Sequence, residues 1–175
     1  MDNSFRRMDR RIGLIIGVDP GLSGGIAVLS FGGEVESVSI TPTIAVGKSR
    51  REYDIGAMRD LIKDSGAKVA FIESQSARPG QGVSSTFKTG YGYGIWVALI
   101  ISCEVSLNIV APRTWTSKML SGVPGDGKDR NILGAKRLFP STDLRKSERA
   151  RKPHDGLADA LLIAEYGRRQ NGVLG

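Results

Sequence analysis

LIIGVDPGLSGGIAVLSF, residues 14–31, decides how this chain folds. Leu14-Ile15-Ile16 leads into Gly17-Val18-Asp19-Pro20-Gly21, and Leu22-Ser23-Gly24 separates it from a second β-prone run, Gly25-Ile26-Ala27-Val28-Leu29. Two apolar runs split by Gly, Pro and Ser read as a hairpin. The first run is apolar at consecutive positions, so it reads as a strand buried on both faces, at the centre of a sheet. Asp19 then stands at the end of a buried strand, beside glycines that expose backbone. An ionised carboxylate there is costly unless something positive neutralises it, and a bound metal ion or a phosphate-bearing ligand is one answer. The other is that Asp19 only supports a turn, as Asp before Pro-Gly does.

Working outward, strands are expected over 12–19, 24–31 and 34–41, an antiparallel meander joined by Gly-containing turns such as Gly32-Gly33. Residues 43–51, with Lys48, Arg50 and Arg51, read as a loop. In 53–65, Ile55, Met58, Leu61 and Ile62 fall at helical spacing, and Gly66 ends the helix. KVAFIE, 68–73, is a strand whose apolar run closes on Glu73, the placement already seen at Asp19. A polar loop over 74–85 precedes a helix over 84–102. Gly90, Gly92 and Gly94 each weaken that helix by about 1 kcal/mol against Ala while permitting close packing. Phe87, Tyr91, Tyr93 and Trp96 on it are read as core in preference to base-stacking platforms. A strand over 104–110, helices over 112–120 and 128–139, a connector over 140–152 and a last helix from 153 to 170 complete the chain.

With 175 residues, 40% of them hydrophobic, the sequence specifies one globular domain over 1–175, with 1–11 as a loose arm carrying four arginines and two aspartates. The 25 Lys+Arg against 18 Asp+Glu give +7, which favours a polyanionic partner, most simply nucleic acid. Cys103 is the one cysteine, so no disulfide forms within the chain; it is read as a small buried hydrophobe in a reducing compartment. His154 is the one histidine, so any metal is held mainly by oxygen, which selects Mg²⁺ or Mn²⁺ over Zn²⁺. The charged N-terminus lacks the apolar stretch of a secretory signal, and the run 96–101 is too short to span a bilayer, so no membrane role is expected.

Gly122-Val123-Pro124-Gly125-Asp126-Gly127-Lys128 has the spacing of a phosphate-binding loop, but Asp129 stands where Ser or Thr would bind Mg²⁺. The segment also follows a helix and not a strand, so that reading is rejected.

The last helix carries the decisive piece. Asp155 and Asp159 lie four apart, on one helix face, within a stretch whose apolar side faces the sheet. The helix dipole offsets the charge of Asp155 at the first turn, but Asp159 lies deeper among apolar residues. Asp19, Glu73, Asp155 and Asp159 together supply four carboxylates, enough for two divalent ions. Such a pair activates water and stabilises the leaving oxygen in phosphodiester cleavage.

In this ordered set the sequence resembles the RuvC-type Holliday junction resolvases of the RNase H-like superfamily. The matching stretches are GVDPG at 17–21, FIES at 71–74 and ADALLIA at 158–164; Phe87-Lys88-Thr89-Gly90 with Gly94, Pro112-Arg113-Thr114-Trp115 through Lys118, and 125–128 add weaker matches. The resemblance spans about 13–166. It implies an α/β fold with a five-stranded mixed sheet flanked by helices, a homodimer, and paired nicking of four-way DNA junctions with Mg²⁺, two ions per site, Mn²⁺ being the alternative. It carries metal ligation onto Asp19, Glu73 and Asp159, and DNA or phosphate contact onto Lys118 and Lys128. The basic connector adds Arg145, Lys146, Arg149, Arg151 and Lys152 as DNA-binding candidates.

Two departures stand out. The family's bacterial members place the last two ligands three apart, where this chain has Gly156, so Asp155 is the substitute and His154 its competitor as ligand or base. Their aromatic residue after the glutamate is missing from 74–82. Both point to a phage or prophage member acting in a bacterial or phage-infected cytoplasm. The rival readings are another RNase H-like nuclease cutting hybrids or flapped DNA, an ATP-binding protein of the actin or sugar-kinase type, and a catalytically inactive junction-binding protein.

Overall fold

The computed structural model describes residues 13–77 and 79–171, so the expected arm at 1–11 lies outside the described residues. Strands β1 (Leu14–Asp19), β2 (Gly25–Ser30) and β3 (Val35–Ile40) form the antiparallel meander. A small separate hairpin, β4 (Thr43–Val46) with β5 (Arg50–Tyr53), follows. Then come α1 (Ile55–Ser65), β6 (Val69–Glu73), α2 (Val83–Ser102), β7 (Ser106–Val110), α3 (Pro112–Met119), α4 (Gly127–Leu138) and α5 (Asp155–Asn171). The main sheet has the order β3-β2-β1-β6-β7, and β6 runs parallel to both β1 and β7. The fold is therefore the expected α/β arrangement, a five-stranded mixed sheet flanked by helices, with β1 in the middle.

Strand periodicity divides the core. Leu14, Ile16, Val18, Ala70 and Ile72 point to one face, where Met58 and Ile62 of α1 and Trp96 and Ile100 of α2 cover them. Ile15, Ala27, Leu29 and Phe71 point to the other face, against Leu157, Leu161, Ala164 and the rest of α5. Asp19 and Glu73 have the parity of Ile15 and Phe71. Both acids therefore leave their strands on the α5 side, one step beyond the paired residues Val18 and Ile72.

Helix α5 is not amphipathic in the expected sense. From Gly156 to Gly167 every residue except Asp159 is buried, because α5 is enclosed between the sheet and helices α3 and α4. It lies very close to β1: a Cβ at Gly17 would fall 2.2 Å from both the Ala160 carbonyl oxygen and the Ala164 nitrogen.

Three local expectations are corrected. Residues 43–51 are not a loop, because the polar sequence still pairs Thr43 with Tyr53 and Val46 with Arg50 across a turn at Gly47, whose φ is 66°. Phe87 and Tyr91 are not core, since α2 turns only its Gly92–Trp96–Ile100 side inward. Cys103 is half-buried, at the C-terminal end of α2. The rejected phosphate loop does connect two helices, α3 and α4, as its context required. No helix among the described residues is long and apolar enough to cross a membrane.

Candidate active site

The loop leaving β1 is pinned from several sides. Gly24 N–H donates to Gly21 O at 2.8 Å, and the buried Thr41 hydroxyl donates to the same oxygen at 2.9 Å. The first turn of α5 docks on this loop with almost no space between them. A Cβ at Gly156 would lie 2.5 Å from Ser23 O and 2.8 Å from Gly24 Cα. Position 156 is thus closed to any side chain, and the acid stands at 155 instead.

The four carboxylates lie within one electrostatic cluster, where β1 and β6 end and α5 begins. Burial, then the charges of Glu73 and Asp155, raise the Asp19 carboxyl to about 6, against opposing help from the Gly21 amide and Lys128. Burial and the charges of Asp19, Glu73 and Asp155 raise Asp159 to about 7, opposed by a hydrogen bond from Asn131. Asp155 differs. Burial pushes it up, but the hydrogen bond and charge of Lys128, which pairs with it, outweigh that and hold it below the ordinary carboxylate range. Glu165, the next acid along α5, is buried yet also held low: burial raises it, and ion pairs to Arg168 at 2.6 Å and Arg169 at 2.8 Å more than compensate. The contrast marks Asp19 and Asp159 as acids that folding leaves without a full-strength cation.

No family model matches this sequence, and no curated protein matches it. Solved structures do. Thermus thermophilus RuvC in complex with a Holliday junction substrate aligns at a TM-score of 0.58 and 19% identity, over 91% of this chain and 96% of that one. A second Thermus thermophilus RuvC structure gives 0.54 at 20%, over 90% and 96%. A yeast mitochondrial Holliday junction resolvase gives 0.60 at 17%, over 91% and 79%. The fold is that of RuvC.

On this RuvC fold, three side chains that sequence reasoning gave no role hold the acids in place. Trp115 Nε1–H donates to Glu73 Oε2 at 2.8 Å, and Gln75 Nε2 donates to Oε1 at 3.1 Å. Asn131 Nδ2 donates to Asp159 Oδ1 at 2.7 Å. A signal existed for each of the two on helices. A buried Trp needs an acceptor for its N–H, and Asn131 sits one turn after Lys128 on the same face of α4.

The other candidates are dispersed. Lys128 is at the acids, but Lys118 lies near the far end of α5, 5.6 Å from the Tyr166 ring centre and 3.5 Å from Gln170 Oε1. Arg145 is occupied by Asp143, with contacts at 2.7 and 3.0 Å, while Lys146, Arg149, Arg151 and Lys152 line an exposed connector that leads into α5. His154 precedes α5 with its N–H on Leu144 O at 2.7 Å, and its buried Nδ1 has no hydrogen-bond partner among the described residues.

The donor chemistry fits hard divalent cations: four carboxylates, no sulfur, and two acids whose ionisation is opposed by burial and by the neighbouring acids. As placed, no three acids among the described residues converge on one point. Each of Glu73, Asp155 and Asp159 is hydrogen-bonded or ion-paired within the protein, and a carboxylate has about four lone-pair sites to share.

A stability prediction follows from Asp19 and Asp159. Their folded values, about 6 and about 7, exceed the ordinary 3.8. Below pH 4 both are protonated folded or unfolded. Between about pH 4 and 7 the unfolded chain releases these protons first, so the metal-free protein loses stability as pH rises and levels off above 7. The expected loss is about 2–4 kcal/mol after allowance for solvent screening. Urea midpoints at pH 5 and pH 8 without divalent ions check it: the midpoint is lower at pH 8, and Asp159→Asn flattens the difference. A midpoint that rises with pH refutes this.

Proposed function

We propose that this chain is a divalent-metal-dependent endonuclease that resolves four-way DNA junctions by paired phosphodiester hydrolysis. The observation that carries the reading is that Asp19, Glu73 and Asp155 lie within electrostatic reach of Asp159 at one end of a RuvC fold, with Asp19 and Asp159 raised toward neutrality. The solved neighbour captured with a Holliday junction substrate, and the +7 charge of the chain, support branched DNA as the partner.

Asp19, Glu73, Asp155 and Asp159 would hold a pair of Mg²⁺ ions, which supply an activated water and charge stabilisation at the leaving oxygen. The protein's own contribution is orientation. Trp115 and Gln75 fix the Glu73 carboxylate, Asn131 fixes one oxygen of Asp159, and Thr41 braces the loop that aims Asp19. Lys128 is exposed and flexible, so its ammonium can leave Asp155 and meet a phosphate once cations occupy the acids. Asp155, one residue inside the helix, is the fourth ligand in preference to His154, because its charge acts on both Asp19 and Asp159.

A two-fold junction presents two equivalent scissile phosphates, so the enzyme acts as a homodimer. The C-terminal half of α2 offers a close-approach face, with Gly94 and Ala98 exposed and Ile101 59% exposed.

The test is incubation of a synthetic four-way junction, its matching linear duplex, a flapped duplex and an RNA/DNA hybrid, each with Mg²⁺ and with EDTA. The expected result is symmetric nicking of the junction, dependent on Mg²⁺, with the duplex spared. Preferential cutting of the hybrid or flap would replace the junction assignment by another RNase H-like nuclease, and tight junction binding without cleavage would make this a junction-binding protein.

A further inference from the structure

The β4–β5 hairpin adds little to the core, so packing does not explain why it is there. Thr43, Val46 and Tyr53 are half-buried, and the other residues of its two strands are exposed. A two-stranded hairpin is marginal in water on its own. This one is anchored at its base. Asp54 N–H donates to Pro42 O at 3.0 Å, and Tyr53 seats on α2, where a Cβ at Gly92 would lie 1.9 Å from its hydroxyl. Burial first, then the charge of Asp19, raise the Tyr53 hydroxyl above its ordinary range, so the base of the hairpin stands within reach of the acids.

Strand parity then sorts the charges. Arg51 shares the face of Tyr53, while Arg50 and Glu52, of opposite parity, neutralise each other at 2.8 Å. All four border a cleft of about 590 Å³ beside Asp19. Arg51 forms no ion pair among the described residues, yet its guanidinium is fixed. Nε donates to Thr43 Oγ1 at 2.7 Å and Nη2 to Thr43 O at 2.9 Å. A guanidinium has five N–H donors. The outer end, Nη1 with the second N–H of Nη2, therefore stays open and matches two oxygens of a phosphate. Holding the fork in advance lowers the ordering cost of such a contact.

Lys128 reaches the acids from the other side. It lies in the first turn of α4, which packs with α5 on one face of the sheet, whereas Tyr53 and the hairpin base pack on the opposite face. The two cations flank the carboxylates at the end of the sheet. A strand crossing that edge meets one cation, then the scissile position, then the other.

We propose that the β4–β5 hairpin is a phosphate clamp, in which Arg51 holds a phosphate flanking the scissile one, on the opposite side of the acids from Lys128. The clamp rests on the nuclease reading above and adds a backbone contact to it.

The test measures binding of a four-way junction and of its linear duplex against salt, in the Asp159→Asn background so that no strand is cut. Arg51→Gln, Arg51→Lys, Thr43→Val and the paired change Arg50→Gln/Glu52→Gln are compared, with circular dichroism confirming the fold. Arg51→Gln is expected to lower the salt slope by about one ion and the affinity about tenfold; Arg51→Lys keeps the slope, and the paired change, which removes no net charge, alters neither. Methylphosphonates placed one at a time around the cut locate the contact: one flanking position weakens binding about tenfold with arginine at 51 and has no effect in Arg51→Gln. An unchanged slope in Arg51→Gln, or the same methylphosphonate losses with and without the arginine, overturns the clamp. Thr43→Val keeps the charge, so it keeps the slope and loses a few-fold in affinity at most; a loss as large as that of Arg51→Gln makes Arg51 a brace for the hairpin and overturns the clamp too. If the protein with all four acids intact fails to nick the junction with Mg²⁺ while the Arg51 dependence holds on both DNAs, the function proposed above fails and the clamp stands.

Discussion

Asp159→Asn is expected to lower the single-turnover nicking rate of a four-way junction by about 10³ or more while leaving junction affinity within a few-fold of wild type. The amide keeps the shape of the side chain and removes the charge on which a cation site depends. Asp159 is the strongest test among the four acids, because folding raises its carboxyl to about 7 and, among the described residues, Asn131 alone is seen to hydrogen-bond it. Its carboxylate forms no ion pair among the described residues, so no such pair is lost on substitution. The metal-free variant gains stability at pH 8, because an acid repelled by Asp19 and Glu73 has been neutralised. Loss of cleavage with retained binding and raised stability is a combination that a merely structural aspartate does not produce. Normal cleavage by Asp159→Asn would remove this residue, and the four-carboxylate site with it, from the mechanism. Within the same series, Asp155→Asn cutting normally while His154→Ala fails would transfer the fourth position to the histidine.

The placement of these acids could be read from the sequence, because period-two strands carry their own address. Once 14–19 and 69–73 are strands, the parity of Asp19 and Glu73 follows from Ile15 and Phe71, and helix α5 must cover that face. The spacing of Asp155 and Asp159 likewise fixed a shared helix face. What could not be read depended on distant partners. Asn131 and Trp115 are 28 and 42 residues from the acids they orient, and nothing local marks an Asn or a Trp as a positioning group. The β4–β5 hairpin was hidden by its composition, since Arg50, Arg51 and Glu52 lack the alternating apolar pattern of a half-buried strand; their ladder holds although none of the three is buried. Phe87 and Tyr91 were misplaced for the converse reason. Aromatic residues on a helix are ordinarily core, and only the direction in which Trp96 and Ile100 face shows that these two point outward.

Glycine substitution provides the second large effect, and in the monomeric chain two positions should answer with opposite signs. At Gly17, in the centre of β1, an added methyl would sit 2.2 Å from the Ala160 carbonyl oxygen and the Ala164 nitrogen, and 2.7 Å from the Ala164 Cα. These are backbone atoms of a helix enclosed on all sides, so no side chain can rotate away to make room. Gly17→Ala must push α5 off the sheet, at an expected cost of about 3 kcal/mol or more. It also shifts Asp159 relative to Asp19, so whatever protein remains folded should nick poorly. At Gly94, in the exposed middle of α2, an added methyl meets nothing within 4 Å. There Gly94→Ala removes only the entropic penalty of glycine in a helix, and a monomeric chain should gain about 0.5–1 kcal/mol. Urea midpoints at constant m-value measure both. If Gly17→Ala is as stable as wild type, the close seating of α5 on β1 is wrong, and the account of the site built on it fails as well. In the proposed homodimer that face of α2 is covered by a second copy, so Gly94→Ala is expected to lose stability there, and to lose it more as protein concentration rises through the micromolar range.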